Sequence, residues 1–264
     1  MEELWKLVAL GAIQGLTEFL PVSSSAHLLA AQEVFGLESG EKALAFDAAL
    51  HLATVLAVLV YFHRDLWRIA RSPERWGVLT RIVLGTIPAA ALALAFREAR
   101  QGASPWLAVL GWTISAVYLQ LTRGRDGRFE HAQLPLWRAA AIGATQGFAA
   151  VIPGLSRSGL SISSGLWLGL KRPEAARFSF LLAIPITLGA GLVEGRKLLQ
   201  GNALSEVGGW GPLIASLLVA FVVGLAAVHL LFRAVRGDRF HRFGWYNLSA
   251  ALAFSLYLLL RNTP

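Results

Sequence analysis

Gln14-Gly15-Leu16-Thr17-Glu18-Phe19-Leu20-Pro21-Val22-Ser23-Ser24-Ser25-Ala26-His27 is the stretch on which the fold turns. It sets a carboxylate, three serines and a histidine between two short apolar pieces, Leu4–Ile13 and Ala26–Phe35. A counterpart lies 132 residues further on, where Gln146-Gly147 answers Gln14-Gly15, Pro153 answers Pro21 and Ser156 answers Ser24. The same offset takes Phe46 to Phe178 and Leu50 to Leu182, and it is half of the 264-residue chain. Several matches at one offset imply a duplication. Repeat one covers about 1–122 and repeat two about 134–264, within a single domain, 1–264.

Each copy opens with two apolar pieces of about ten residues, in the second copy Trp137–Ala144 and Leu160–Leu170. Such pieces are too short to cross a hydrocarbon core of about 30 Å as helix. Pro21 and Pro153-Gly154 disfavour joining them. The spacing predicts a re-entrant helical hairpin in each copy, its non-helical tip buried in protein or lining a cavity. Three longer apolar runs follow each hairpin: Ala43–Tyr61, Val78–Phe96 and Trp106–Leu121, then Phe178–Val193, Leu213–Phe232 and Trp245–Leu260. The expected fold is an all-α polytopic membrane protein with six full spans and about ten helices. Three spans per repeat is an odd number, so the second copy is inverted relative to the first. Paired broken helices in the two halves then point to a midplane site at the repeat interface.

Composition agrees, with 55% hydrophobic and 15% charged residues where a soluble domain carries about a quarter charged. Mean hydropathy is +0.56. The chain has no cysteine, which excludes disulfides and thiol chemistry. Met1-Glu2-Glu3 is acidic and no small-residue cleavage site follows, so no cleaved signal peptide is expected. A net charge of +8 would suit nucleic acid in a soluble protein. Here the basic residues fall in short loops between apolar runs, where the positive-inside bias accounts for them, and no nucleic-acid partner is expected. With the N-terminus on a face A and both hairpins re-entrant, face A receives 7 Lys and Arg and face B receives 16, Arg157 standing apart in the second hairpin. Face B is therefore expected in the cytoplasm, with both termini and the first hairpin outside.

Glu18 and Arg157 are ionisable residues in otherwise apolar segments, where a charge costs about 2.5–3.5 kcal/mol on insertion scales. They either pair with each other or face a cavity. Gln14 and Glu18 are four apart and share a helix face; Ser24 and His27 are three apart and share a face of the next helix. Pro-Val-Ser-Ser-Ser reads as a capped helix start, as does Pro153-Gly-Leu-Ser-Arg-Ser-Gly. Two half-helix N-termini would meet near the midplane and offer N–H groups to an anion. Arg157 adds a planar charged fork that suits phosphate oxygens, and the serines add hydroxyl donors. A phosphate ester or diphosphate is the ligand this donor set fits. Glu18 either binds a divalent cation or acts as a general base. His27 either protonates a leaving phosphate or activates the nucleophile, which is Ser24 or water. Asp47 and His51, also four apart, read as polar support from behind the pocket or as a buried hydrogen-bonded pair.

The two long motifs, with Phe178-Ser-Phe-Leu-Leu-Ala-Ile-Pro185 and Leu84-Gly-Thr-Ile-Pro88, resemble the undecaprenyl-diphosphatase (bacitracin-resistance) family of bacteria over essentially the whole chain. The resemblance implies a hydrolase that removes the terminal phosphate of undecaprenyl diphosphate, regenerating the lipid carrier for peptidoglycan synthesis. It implies dependence on a divalent cation (Mg²⁺ or Ca²⁺), interlocked inverted repeats, a homodimer, and a site at the outer face of the cytoplasmic membrane. Position by position, it puts the family's nucleophile on Ser24, the motif histidine on His27, the acidic motif on Gln14 and Glu18, and the diphosphate grip on Arg157. Ser156 and Ser158 flank that arginine, and Ser23 and Ser161 complete the expected hydroxyl donors. Gln14 is neutral where many relatives carry a carboxylate, which shifts the acid–base burden to Glu18 and His27. The rival from another class is a polyprenyl-phosphate flippase, which shares inverted repeats and broken helices but needs no nucleophile. A second membrane lipid-phosphatase family requires a histidine where this chain has Ser163, and it fails there.

Overall fold

The computed structural model describes residues 2–37, 41–96, 104–198 and 209–261. Among them the chain forms eleven α-helices and no strand. The first hairpin is α1 (Glu2–Phe19) and α2 (Ser24–Phe35). α3 (Glu41–Tyr61), α4 (His63–Arg71), α5 (Arg75–Ala95) and α6 (Pro105–Gln120) complete the first half. The second hairpin is α7 (Leu136–Val151) and α8 (Arg157–Trp167), followed by α9 (Arg172–Leu198), α10 (Trp210–Arg236) and α11 (Phe243–Arg261). By length and composition four helices can cross a membrane, namely α5, α9, α10 and α11, or five if α3 and α4, bent by 63°, count as one. α6 has sixteen residues, which is about 24 Å of helix.

Two details depart from the sequence reading. α1 runs eighteen residues, through Gly15 and Glu18 to Phe19, rather than ending near Ile13. Nothing in Gln14–Glu18 breaks a helix once its polar groups are satisfied, and the break waits for Pro21. The arginines assigned to loops after the first span lie instead on α4, a short polar helix carrying Arg64, Arg68 and Arg71. Arg97 and Arg100, counted in the charge bias, lie outside the described residues.

The halves interlock. α1 packs chiefly on α10, and α7 packs chiefly on α5. α3 pairs with α9, and α6 with α11. The two hairpin contacts use one device. A Cβ on Gly11 would lie 2.4 Å from the Ser216 carbonyl oxygen, and one on Gly15 2.5 Å from that of Ala220. A Cβ on Gly143 would lie 1.9 Å from the Gly85 oxygen, and one on Gly147 2.8 Å from Ala89 Cα. Gly143 and Gly147 sit 132 residues after Gly11 and Gly15. Small residues four apart let backbones approach this closely, the usual way helices associate without a hydrophobic drive. The open end of each hairpin is tied by a basic side chain at the same offset. Lys6 Nζ donates to the Phe35 carbonyl at 3.0 Å, and Arg138 Nη1 to the Leu168 carbonyl at 2.8 Å. An aromatic cluster of Phe19, Phe62, Phe180 and Phe232 joins α1, the α3–α4 bend, α9 and α10. Outward faces stay apolar; Leu94 is 73% exposed and Leu252 71%.

The glycine contacts yield a direct expectation. Gly143→Ala must separate α7 from α5 and should lose about 1–3 kcal/mol. Gly189→Ala, in a helix with nothing within 4 Å of its Cβ, should leave stability unchanged or slightly raised. Thermal unfolding of both variants in detergent checks the contrast.

Candidate active site

The first hairpin turns at Leu20–Ser23, where the backbone pairs with itself only at Val22 N–H to Leu20 O, 2.7 Å, and His27 N–H to Ser23 O, 3.3 Å. Its four successive carbonyls are bonded by side chains from four helices. Ser158 Oγ donates to Leu20 O at 3.1 Å, Asn247 Nδ2 to Pro21 O at 2.8 Å, and Trp112 Nε1 to Val22 O at 2.7 Å. His27 Nδ1 takes Ser23 O at 2.8 Å. Ser23 holds φ 66°, a left-handed conformation that a serine adopts only under constraint. It makes no side-chain cap, so the start of α2 is not the capped N-terminus its sequence suggests. In the second turn Gly154, at φ 91°, takes the strained position, and its carbonyl accepts Ser115 Oγ at 3.2 Å. Ser156 does cap α8, accepting Gly159 N–H at 3.0 Å.

The two tips meet. A Cβ on Gly159 would lie 3.3 Å from Pro21 Cβ. Beside this contact is a cavity of about 140 Å³ lined by Thr17, Glu18, Ser23, Ser24, Ser25, Asp47, His51, Ser156, Arg157 and Thr187, with Leu155 and small Ala and Gly residues on the remaining wall. Glu18 is the hub. Its Oε1 pairs with Arg157 Nη2. Its Oε2 accepts Ser24 Oγ–H at 2.6 Å and Gln14 Nε2–H at 3.1 Å, and His51 Nε2 lies 3.4 Å away. Arg157 Nη1 donates to Thr187 Oγ1 at 3.1 Å. A hydroxyl on a carboxylate, with that carboxylate held by a guanidinium, is a geometry for generating an alkoxide beside a bound anion.

Several sequence expectations land elsewhere. His27 does not line the cavity and does not touch Ser24. Its ring stacks on Tyr246 (centroids 5.7 Å, 14°) and lies edge-on to Trp112 at 5.1 Å. Nδ1 faces a carbonyl, which can only accept, so Nδ1 carries the hydrogen; in the neutral ring Nε2 accepts the Tyr246 hydroxyl at 2.8 Å. Both nitrogens are committed to the fold because α6 and α11 take the face of α2 on which His27 stands. Ser158 and Ser161 are also turned from the cavity: Ser158 holds Leu20, and Ser161 is buried between the Arg157 carbonyl and Ser179 Oγ, each at 2.6 Å. Gln14 reaches the site only through Glu18. Asp47 and His51 line the cavity itself, where the sequence suggested support from behind it. His51 Nδ1 binds the Asp47 carbonyl at 2.7 Å, which turns Nε2 toward Glu18. Gln32 Nε2 donates to Asp47 Oδ1 at 3.1 Å. Thr17 and Thr187 were not anticipated; hydroxyls inside apolar helices carry no periodic signal.

For a divalent cation the donors are oxygens of Glu18 and Asp47 with serine hydroxyls nearby, and among the described residues no group of three or more His, Cys, Asp or Glu is arranged to hold a metal ion. That does not fit an all-protein cage. It fits an ion of the Mg²⁺ type that keeps one or two carboxylates and takes its remaining ligands from substrate phosphates and water.

Long apolar helices around a Ser–Glu–Arg cluster define an integral membrane protein with a polar, charged cavity inside the helical bundle. Residues 7–253 match the family described as bacitracin resistance protein BacA. Relatives named undecaprenyl-diphosphatase include that of Desulfosudis oleivorans, 41% identical over 90% of this chain and 93% of its own. That of Rubrobacter xylanophilus is 37% identical over 98% of this chain and 100% of its own, and that of a Nocardioides species 37% over 96% of each. The chain belongs to the BacA family.

Removing Glu18 leaves Arg157, partly buried, without its carboxylate partner. Glu18→Ala should cost about 3–5 kcal/mol, and Glu18→Ala/Arg157→Ala less than the two single losses together. A double-mutant cycle of thermal stability in detergent measures the coupling.

Proposed function

We propose that the protein hydrolyses undecaprenyl diphosphate to undecaprenyl phosphate and phosphate, as the names of its relatives indicate. The observation that carries the chemistry is the Ser24–Glu18 hydrogen bond of 2.6 Å, with Arg157 on the other carboxylate oxygen. At rest Glu18 neutralises Arg157. A diphosphate entering the cavity competes for the guanidinium, which binds two phosphate oxygens as a fork. Glu18, freed from Arg157 but still bonded to Ser24, then takes the hydroxyl proton as Ser24 Oγ attacks the terminal phosphorus. The Oγ–P bond forms, the bridging P–O bond breaks, and the lipid phosphate leaves. Glu18 passes that proton to His51, which has given its own to the lipid phosphate. Water then attacks the phosphoserine and gives a proton to Glu18, which returns it to the departing Ser24 Oγ as phosphate is released. His51, which touches Glu18 and can donate from Nε2 when charged, is placed to protonate the departing oxygen, a role the motif suggested for His27. A divalent cation, held by Glu18 and Asp47, would neutralise phosphate charge.

The packing exchange of α1 on α10 with α7 on α5, and the matched ties at Lys6 and Arg138, support an inverted duplication with re-entrant hairpins. In that arrangement α3, α5, α6, α9, α10 and α11 are the six spans. The cavity takes residues 47–51 of α3 and 187–191 of α9. These lie in the first half of α3 and the second half of α9, toward face A, while the arginines of α4 mark face B. With face B cytoplasmic, the cavity opens to the outer face of the cytoplasmic membrane. The named relatives and the committed Ser–Glu pair favour a hydrolase over a flippase, for which that pair has no use.

Purified protein supplied with a polyprenyl diphosphate and Mg²⁺ or Ca²⁺ should release phosphate, and chelation should abolish release reversibly. Glu18→Gln should lower turnover by about 10²–10⁴-fold. Ser24→Ala should abolish it together with any phosphate adduct seen by mass spectrometry. Full turnover in Ser24→Ala would transfer attack to water; no release by folded protein with any divalent ion would refute the proposal.

A further inference from the structure

We infer that a cleft at the base of the second hairpin binds the phosphate group of an anionic membrane lipid, apart from the cavity at the hairpin's tip. The cleft has a volume of about 470 Å³, and its walls include Arg128, Phe129, Trp137, Arg138 and Trp167. It lies at the end of α8 where Trp167 stands, and the catalytic cavity at the end where Arg157 stands, about 15 Å away along the helix axis.

The cleft carries net positive charge, two guanidinium groups against the single carboxylate of Asp126. The Arg128 and Arg138 guanidinium carbons stand 5.0 and 5.1 Å from the Phe129 ring centroid, so they lie within about 10 Å of one another. Among the described residues neither has a carboxylate partner. Asp126, on the same wall, is already used: its Oδ1 accepts the N–H of Gly127 at 3.0 Å and of Arg172 at 2.9 Å. Arg138 spends Nη1 on the tie to Leu168, and its Nε is buried with no partner. A buried charged donor without an acceptor is costly, and it is rare unless a ligand or water completes it. Two guanidinium groups around one opening suit a phosphate, whose oxygens take parallel N–H donors.

Position selects the source of that phosphate. Trp137, 63% exposed, opens α7, and Trp67 and Trp76, 61% and 67% exposed, flank the turn between α4 and α5 at the same end of the bundle. Exposed tryptophans at helix ends mark headgroup depth. A basic pocket between helices at that depth meets lipid headgroups, and on the cytoplasmic side those are anionic. Trp137 and Trp167 offer apolar walls for the glycerol and upper acyl chain.

The test uses purified full-length protein, delipidated in detergent and offered phosphatidylglycerol or phosphatidylcholine of matched chains. Native mass spectrometry reads retained lipid. Wild type should retain phosphatidylglycerol over phosphatidylcholine. Arg128→Gln should weaken that retention about fivefold, near the loss of one cationic contact. Arg138→Lys, which keeps the charge but removes the guanidinium fork, should weaken it measurably but less. Arg138→Lys keeps the hairpin tied, as Lys6 ties the other, so its thermal stability should stay near wild type. Arg64→Gln, an exposed arginine at the same end outside the cleft, should retain lipid normally. Equal retention of the two lipids, or wild-type retention in Arg128→Gln and Arg138→Lys, would overturn the assignment. Inorganic phosphate bound with no retention of phosphatidylglycerol would make the ligand a soluble anion and would also overturn it.

Discussion

A chain that turns inside a bundle of apolar helices must find partners for the backbone groups its turn exposes, because no water is there to take them. The first hairpin meets this demand at Leu20, Pro21, Val22 and Ser23, whose carbonyls accept from Ser158, Asn247, Trp112 and His27. Three of those donors lie 90 or more residues away in sequence, two of them in the other half. The turn therefore cannot form before the halves interlock, and its geometry is inherited from them. The strained Ser23 and the placement of Ser24 against Glu18 follow from that anchoring.

The same interlocking solves the charge problem. Glu18 comes in with one hairpin and Arg157 with the other, and each would be expensive to bury alone. Paired, they neutralise each other, and the guanidinium is available only to an anion that competes with Glu18. In the proposed reaction recognition and activation are one event, since a phosphate that takes Arg157 also releases the carboxylate set to deprotonate Ser24. His27, one turn from Ser24 in sequence, belongs to the scaffold around this pair.

Much of this was legible in the sequence. The offset of 132 residues exposed the two matched segments, and Glu18, Ser24 and Arg157 stood out because charged and hydroxyl groups are scarce in such runs. The direction of His27 was not legible. Helical spacing says which residues share a face, but the neighbours of that face, Trp112 and Tyr246, come from distant segments. The roles of Ser158 and Ser161 were hidden for a related reason: a serine is an equally good phosphate donor or backbone partner, and only packing chooses. His51 stands closer to Glu18 than expected because α3 packs directly on α1. The glycines at 11, 15, 143 and 147 repeat the same offset, and their close helix contacts show why both halves keep them.

The central claim is that the two hairpin tips touch. The chain has no native cysteine, and a Cβ placed on Gly159 would lie 3.3 Å from that of Pro21, close to the spacing across a disulfide. Oxidation of folded Pro21→Cys/Gly159→Cys protein, followed by proteolysis and non-reducing mass spectrometry, reads the contact directly. Interlocked tips predict one disulfide-linked pair of peptides, one from each half. Two free thiols, both open to alkylation in the folded protein after oxidation, would contradict it.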